Sequence, residues 1–139
     1  MSASETLNIT VNEINGSEKQ IVWAIELRGQ MLDSLAAVAD PNAYTVHKDM
    51  VGKLVSDSNA TRVARATAMV LASIGSARWW IDNRDYLSGV RSKLTRHTEY
   101  GVEADNARAI QKVLSDMLIS LRSSIPNFDT VFASAKSAA

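Results

Sequence analysis

Proline occurs only at positions 41 and 126, so nothing between them obliges a helix to break. Apolar residues recur instead at three- and four-residue steps, the period of a helix with one buried face. The first helix starts at Ser17-Glu18-Lys19-Gln20. This is a capping box, in which the Ser hydroxyl takes the Gln20 amide and the Gln side chain reaches back. Ile21, Ala24, Ile25, Met31, Leu32, Leu35 and Val38 form its apolar face, and Asp40-Pro41-Asn42 ends it. A short helix over 46–56 carries Met50, Val51, Leu54 and Val55. A third, over 60–81, has its stripe at Val63, Val70, Ile74, Ala77 and Ile81. Met69 and Leu71 widen that stripe, which marks the central helix of a bundle. Its many alanines and Gly75 admit close neighbours. A fourth helix, over 85–98, carries Leu87, Val90 and Leu94 and stops at Tyr100-Gly101. The fifth, over 104–123, carries Ala107, Ile110, Val113, Leu114, Met117, Leu118 and Leu121.

The two ends read differently. Leu7, Ile9 and Val11 alternate with Asn8, Thr10 and Asn12, the period of an extended strand, before a turn at Asn15-Gly16. Such an arm needs a partner. Tyr44-Thr45-Val46 is one choice and a neighbouring subunit another. After Pro126, residues 127–135 form a short turn anchored by Phe128, Val131 and Phe132, and residues 136–139 a loose tail. The expected fold is all-α: a compact bundle of about five helices with a short extended N-terminal arm. The expected organisation is an arm over 1–16, one helical domain over 17–135 and the tail. A chain of 139 residues suits one domain.

Net charge is zero, yet unevenly spread. Residues 58–97 hold seven cations against Asp82 and Asp85, a net +5. Residues 1–57 hold four cations against eight carboxylates, a net −4, and residues 98–139 four against five, a net −1. A basic island of this kind steers anionic partners. Trp79 and Trp80 lie inside it. Successive helical residues diverge by about 100°, so on one continuous helix Trp80 falls on the flank of the Val63–Ile81 stripe and Trp79 nearly opposite. Trp79 is therefore expected to point outward, free to stack a base or to meet a partner protein. The candidate contact residues are Arg62, Arg65, Arg78, Trp79, Arg84, Arg91, Lys93 and Arg96.

Other chemistries find little here. The chain has no cysteine, which excludes disulfides, thiol catalysis and a cysteine-based zinc site. His47 and Asp49 have no companions at metal-ligand spacing. No glycine-rich phosphate loop and no nucleophile elbow is present. His97-Thr98-Glu99-Tyr100-Gly101-Val102, followed by Ile110, Leu114 and Leu118, resembles the proximal-histidine segment of bacterial single-domain globins. Globins place a leucine four residues before that histidine, where this chain has Lys93. They also pack a phenylalanine on the haem, and Phe128 and Phe132 come far too late. No haem or other cofactor is expected. Arg91 and His97, with five residues between them, are similar to the loose pattern of HEPN-type ribonucleases, an Arg and a His separated by four to six residues, which keeps a helical ribonuclease as a remote alternative. Six residues apart on one helix, however, the two side chains diverge by about 120°.

The expected role is non-enzymatic. The chain is read as a helical subunit of a larger assembly, in a viral or defence-associated setting, that contacts a nucleic-acid backbone through its basic-aromatic face. In size and basic character it is similar to the helical small subunits of CRISPR effector complexes. The alternative is a purely structural virion, tail or filament subunit that uses the same face for protein contacts. The partners expected are other protein subunits and single-stranded nucleic acid. No apolar run approaches the roughly 20 residues of a membrane span, and the first residues lack the apolar core of a secretory signal. A cytoplasmic or virion location is expected.

Overall fold

The computed structural model describes Leu7 and residues 9–39, 58–99, 106–125 and 127–138. Within them lie six helices: α1 (Glu18–Ala39), α2 (Ser58–Ala72), α3 (Ala77–Asp82), α4 (Arg84–Glu99), α5 (Asn106–Arg122) and α6 (Phe128–Ala138). The fold is an all-α bundle. The helix expected over 46–56 and the Tyr44-Thr45-Val46 stretch lie outside the described residues, as do His47 and Asp49.

Helix α1 begins as its sequence dictates. Gln20 donates its backbone N–H to Ser17 Oγ at 3.3 Å, and Ser17 donates its own to Gln20 Oε1 at 3.1 Å. Ala24, Met31, Leu32, Leu35 and Val38 are buried on its core side. Ile25, expected among them, is exposed, and so is Val22. Arg28 takes a core-side position instead and is buried. Helix α2 is central: Ala64, Ala66, Thr67, Ala68, Val70, Leu71 and Ala72 are all fully buried. It packs against α1, α5 and α6, while α1 also packs against α3 and α4. Thr67 is tolerated there because its Oγ1 donates to the Val63 carbonyl at 2.7 Å. Leu87, Val90 and Leu94 of α4 and Ile110, Leu114, Met117 and Leu121 of α5 complete the core.

The single helix expected over 60–81 is two. The chain leaves helical geometry at Ser73-Ile74-Gly75-Ser76 and restarts at α3. Ser76 caps the new helix, its side chain accepting from the Trp79 N–H at 3.2 Å. A helix end strands backbone carbonyls, and each one here finds a donor. The Ala72 carbonyl accepts from Asn12 N at 2.9 Å, and the Ser73 carbonyl from Asn12 Nδ2 at 3.0 Å. The Ile74 carbonyl accepts from Trp80 Nε1 at 3.2 Å. The Gly75 carbonyl accepts from Asn15 N at 2.7 Å, and Asn15 returns its carbonyl to Ala77 N at 3.0 Å.

Residues 9–16 of the N-terminal arm are the other half of that arrangement, without forming a strand, while Leu7 before them is helical and not extended as expected. The arm pairs with its own chain, at the break between α2 and α3. Leu7 and Ile14 are buried, and Ile9 and Val11 pack half-buried on the core. Gly75 belongs to this contact and not to helix packing. A Cβ at Gly75 would meet the Glu13 carbonyl oxygen at 2.9 Å.

Arg28 of α1 also fastens the arm. Its guanidinium donates to the Asn12 carbonyl at 2.6 Å, and burial lowers its pKa from the usual arginine value. Arg28→Met keeps the aliphatic stem and removes this bond. The expected result is a loss of about 1–2 kcal/mol in a denaturant titration, with faster hydrogen exchange at the Asn12 and Asn15 amides. Unchanged exchange there would show that the guanidinium does not hold the arm.

Residues 127–135 form more than a turn. Helix α6 runs on to Ala138, through residues expected to be a tail, and packs against α2. Asn127 enters it in the left-handed region, φ 58°, where asparagine is among the few side chains accepted. Phe128 and Phe132 stack at 5.6 Å between centroids, and Arg122 pairs with Asp129 at 2.8 Å across the α5–α6 turn. No described helix is long and apolar enough to cross a membrane.

Candidate nucleic-acid interface

The break at residues 73–76 decides where the tryptophans go. It resets the helical phase, so the angle from the Val63–Ile74 stripe no longer carries through to Trp79 and Trp80. Trp80 is the core residue, fully buried. Trp79 is half-buried within its own chain, and this corrects the expectation of an outward ring. Its indole lies edge-on to Trp80, 5.1 Å between centroids and 84° between planes. Its Nε1–H is enclosed with no partner. Around it, Ser76 of the break and Ile125 and Val131 of the α5–α6 region form a small cleft.

The basic island is divided among three helices. Arg62 and Arg65 stand on α2, Arg78 on α3, and Arg84, Arg91, Lys93 and Arg96 on α4. Helices α2 and α4 share no extensive contact among the described residues, so the eight candidates do not form one surface. Arg65 is half-buried with its Nε enclosed and unpaired. Arg78 pairs with Asp82 one turn on, at 3.5 Å on an open surface, which spends part of its charge locally and adds little stability.

Helix α4 keeps its charge. Arg84, Arg91, Lys93 and Arg96 make no ion pair among the described residues. At 100° per residue, Arg84, Ser88, Arg91, Ser92, Thr95 and Arg96 share one side of the helix, and Lys93 lies round the flank. A rise of 1.5 Å per residue sets Arg84 and Arg91 about 10 Å apart, with Arg96 about 7 Å further on. Ser88, Arg91, Ser92, Thr95 and Arg96 line an open groove. It continues into a cleft between α1 and α4 that Leu27, Gln30, Arg84 and Asp85 border.

Two contacts tie this side of α4 to α1. Arg84 lies over the Trp23 ring, its Cζ 5.2 Å from the centroid. It also donates to the Ile81 carbonyl at 2.7 Å. Arg91 donates to Gln30 Oε1 at 3.1 Å, and its enclosed Nε has no partner. Trp23 and Gln30 are seven residues apart on α1, and Arg84 and Arg91 seven apart on α4. The two helices therefore run side by side in the same direction, with one aromatic–cation rung and one amide–cation rung. Trp23 is 43% exposed. Sequence reasoning passed over both α1 residues. The available signal was that Trp23 sits one position, about 100°, off the Ala24 stripe, which puts it on a flank.

No trio of His, Asp or Glu among the described residues could hold a metal ion. The side chain of His97 lies outside the described residues, and with it the pairing to Arg91. Compared with known proteins, the chain matches no family model, no curated protein and no solved structure.

Proposed function

We propose that this chain is a non-enzymatic subunit of a larger assembly that holds a nucleic-acid backbone along α4. The observation that carries the reading is the set of guanidinium groups of Arg84, Arg91 and Arg96 on one side of that helix. None is neutralised by a carboxylate among the described residues, and the hydroxyls of Ser88, Ser92 and Thr95 lie between them. Guanidinium groups bind phosphate oxygens in forked pairs, and hydroxyls add donors to the same oxygens. This surface reads no base edge, so it grips without sequence preference. Lys93, Arg62 and Arg65 add to the surrounding field and not to the groove.

The test is a fluorescence-anisotropy titration of the whole chain with a labelled oligonucleotide of about 30 residues at low salt. Binding is expected, with an affinity that falls steeply as salt rises, because each neutralised phosphate releases condensed counterion. Arg84→Glu with Arg91→Glu is expected to abolish it. Absence of binding at tens of micromolar protein overturns the proposal.

A second observation favours protein contacts in the same assembly. Val22 and Ile25 on α1 and Ile119 on α5 are 65%, 49% and 72% exposed. In the purely structural reading, the virion, tail or filament subunit, these are contact residues. Val22→Lys with Ile25→Lys then lowers the mass in solution while nucleic-acid binding is absent from the start.

A further inference from the structure

We infer that the α1–α4 groove takes single-stranded nucleic acid in preference to duplex, with Trp23 as the ring on which a base stacks. This rests on the backbone-binding reading above and goes beyond it by naming the form of the nucleic acid.

The inference starts from where the structure puts its aromatic rings. Trp79 and Trp80 are occupied with each other and with their own core. Trp23 is the most exposed of the three tryptophans, 43%, and it touches the α1–α4 cleft through Arg84, which borders that cleft. Arg84 covers part of the indole and is itself exposed. A guanidinium in that position does two things at once. It fixes the ring against α4 by cation–π attraction, and its remaining N–H groups stay free to take a phosphate. Arg91, held by Gln30, stands about 10 Å further along the helix for a second phosphate. A strand lying along α4 thus meets a stacking ring at one end and cations along its length, the combination that single-strand sites use.

The charge of the groove decides what covers the exposed ring. A bare apolar patch would fit many partners, but this ring lies under Arg84, and the groove continues past Arg91 to Arg96. Among the described residues Asp85 is the one carboxylate lining the cleft, against Arg84, Arg91 and Arg96 along the groove, so the surface favours an anionic occupant with flat apolar faces. A single strand offers both. In a duplex the base faces are stacked on one another and closed to an indole, so duplex can use the cations but not Trp23.

The experiment compares an oligothymidylate with a duplex of equal length, titrated against the whole chain at low salt. The single strand is expected to bind more tightly, by about 5- to 100-fold for one stacked base. Trp23→Ala is expected to remove that preference, weakening single-strand binding far more than duplex binding, which loses only the anchoring of Arg84. Trp23→Phe, which keeps a flat ring, is expected to retain most of it. Indole fluorescence is expected to be quenched by the single strand in the native chain, and the quenching to disappear in Trp23→Phe although Trp79 and Trp80 remain. A melting curve for each variant excludes misfolding as the cause, since Trp23 is not a core residue. Equal binding of duplex and single strand, or equal weakening of both by Trp23→Ala, overturns the stacking inference and leaves the backbone reading standing. Binding of neither removes both.

Discussion

Trp80→Ala is expected to cost about 3–5 kcal/mol, the range for deleting a large aromatic from a packed core. In a thermal melt this is a fall on the order of 10–20 °C for a domain of this size. The ring is fully buried, and its Nε1–H satisfies the Ile74 carbonyl at the α2–α3 break. Two terms therefore add: lost packing, and a buried carbonyl left without a donor. Trp80→Phe separates them. It keeps most of the apolar area and loses the donor, so about 1–3 kcal/mol of the effect should persist. Trp79→Phe is the control, because the Nε1–H that it removes is enclosed and bonds nothing. That change is expected to cost less than about 1 kcal/mol. Equal losses for the two Phe variants would show that the Ile74 bond carries no weight.

Gly75→Val is the second large effect. A Cβ at this position lies 2.9 Å from the Glu13 carbonyl oxygen, which is backbone and cannot swing aside as a side chain can. The arm must shift or detach. If it detaches, Leu7 and Ile14 lose their buried places, each worth about 1.5–3 kcal/mol. The amides of Asn12 and Asn15 also release the carbonyls of Ala72 and Gly75. A loss of about 3 kcal/mol or more in a denaturant titration is expected. It should come with susceptibility of the first 16 residues to limited proteolysis, while the helical circular dichroism signal stays near that of the native chain. A variant as stable as the native chain would mean that the arm is not part of the cooperative unit.

Read from the sequence alone, the helical content, the capping box at Ser17, the centrality of α2 and the bounds of α4 and α5 are all legible, because each rests on contacts within a few residues. The period of Leu87, Val90 and Leu94 is visible without knowing what they pack against. The break at residues 73–76 is not legible in this way. Ser73-Ile74-Gly75-Ser76 sits within an apolar stripe that continues at helical spacing, and local propensity costs only about 1 kcal/mol for one glycine. What ends the helix is the set of donors that reach the Ala72 carbonyl and those of the break beyond it, two from Asn12, one from Asn15 and one from the Trp80 indole. Asn12 lies 61 positions from Ser73 in sequence, and no local pattern announces a bond of that span.

The same reason explains the candidate site. The charge of the basic island could be counted from the residues, but not its division among α2, α3 and α4, which follows from how those helices turn in the bundle. An outward Trp79 requires one unbroken helix, and the break at residues 73–76 removes that premise. The rungs of Trp23 with Arg84 and of Gln30 with Arg91 join residues far apart in the chain. They exist only because α1 and α4 lie side by side in the same direction. Composition and period determined which segments are helical and that a cationic stretch exists. Tertiary packing alone decided which ring stays open to solvent and which arginines stand beside it, because exposure depends on which faces the neighbouring helices cover.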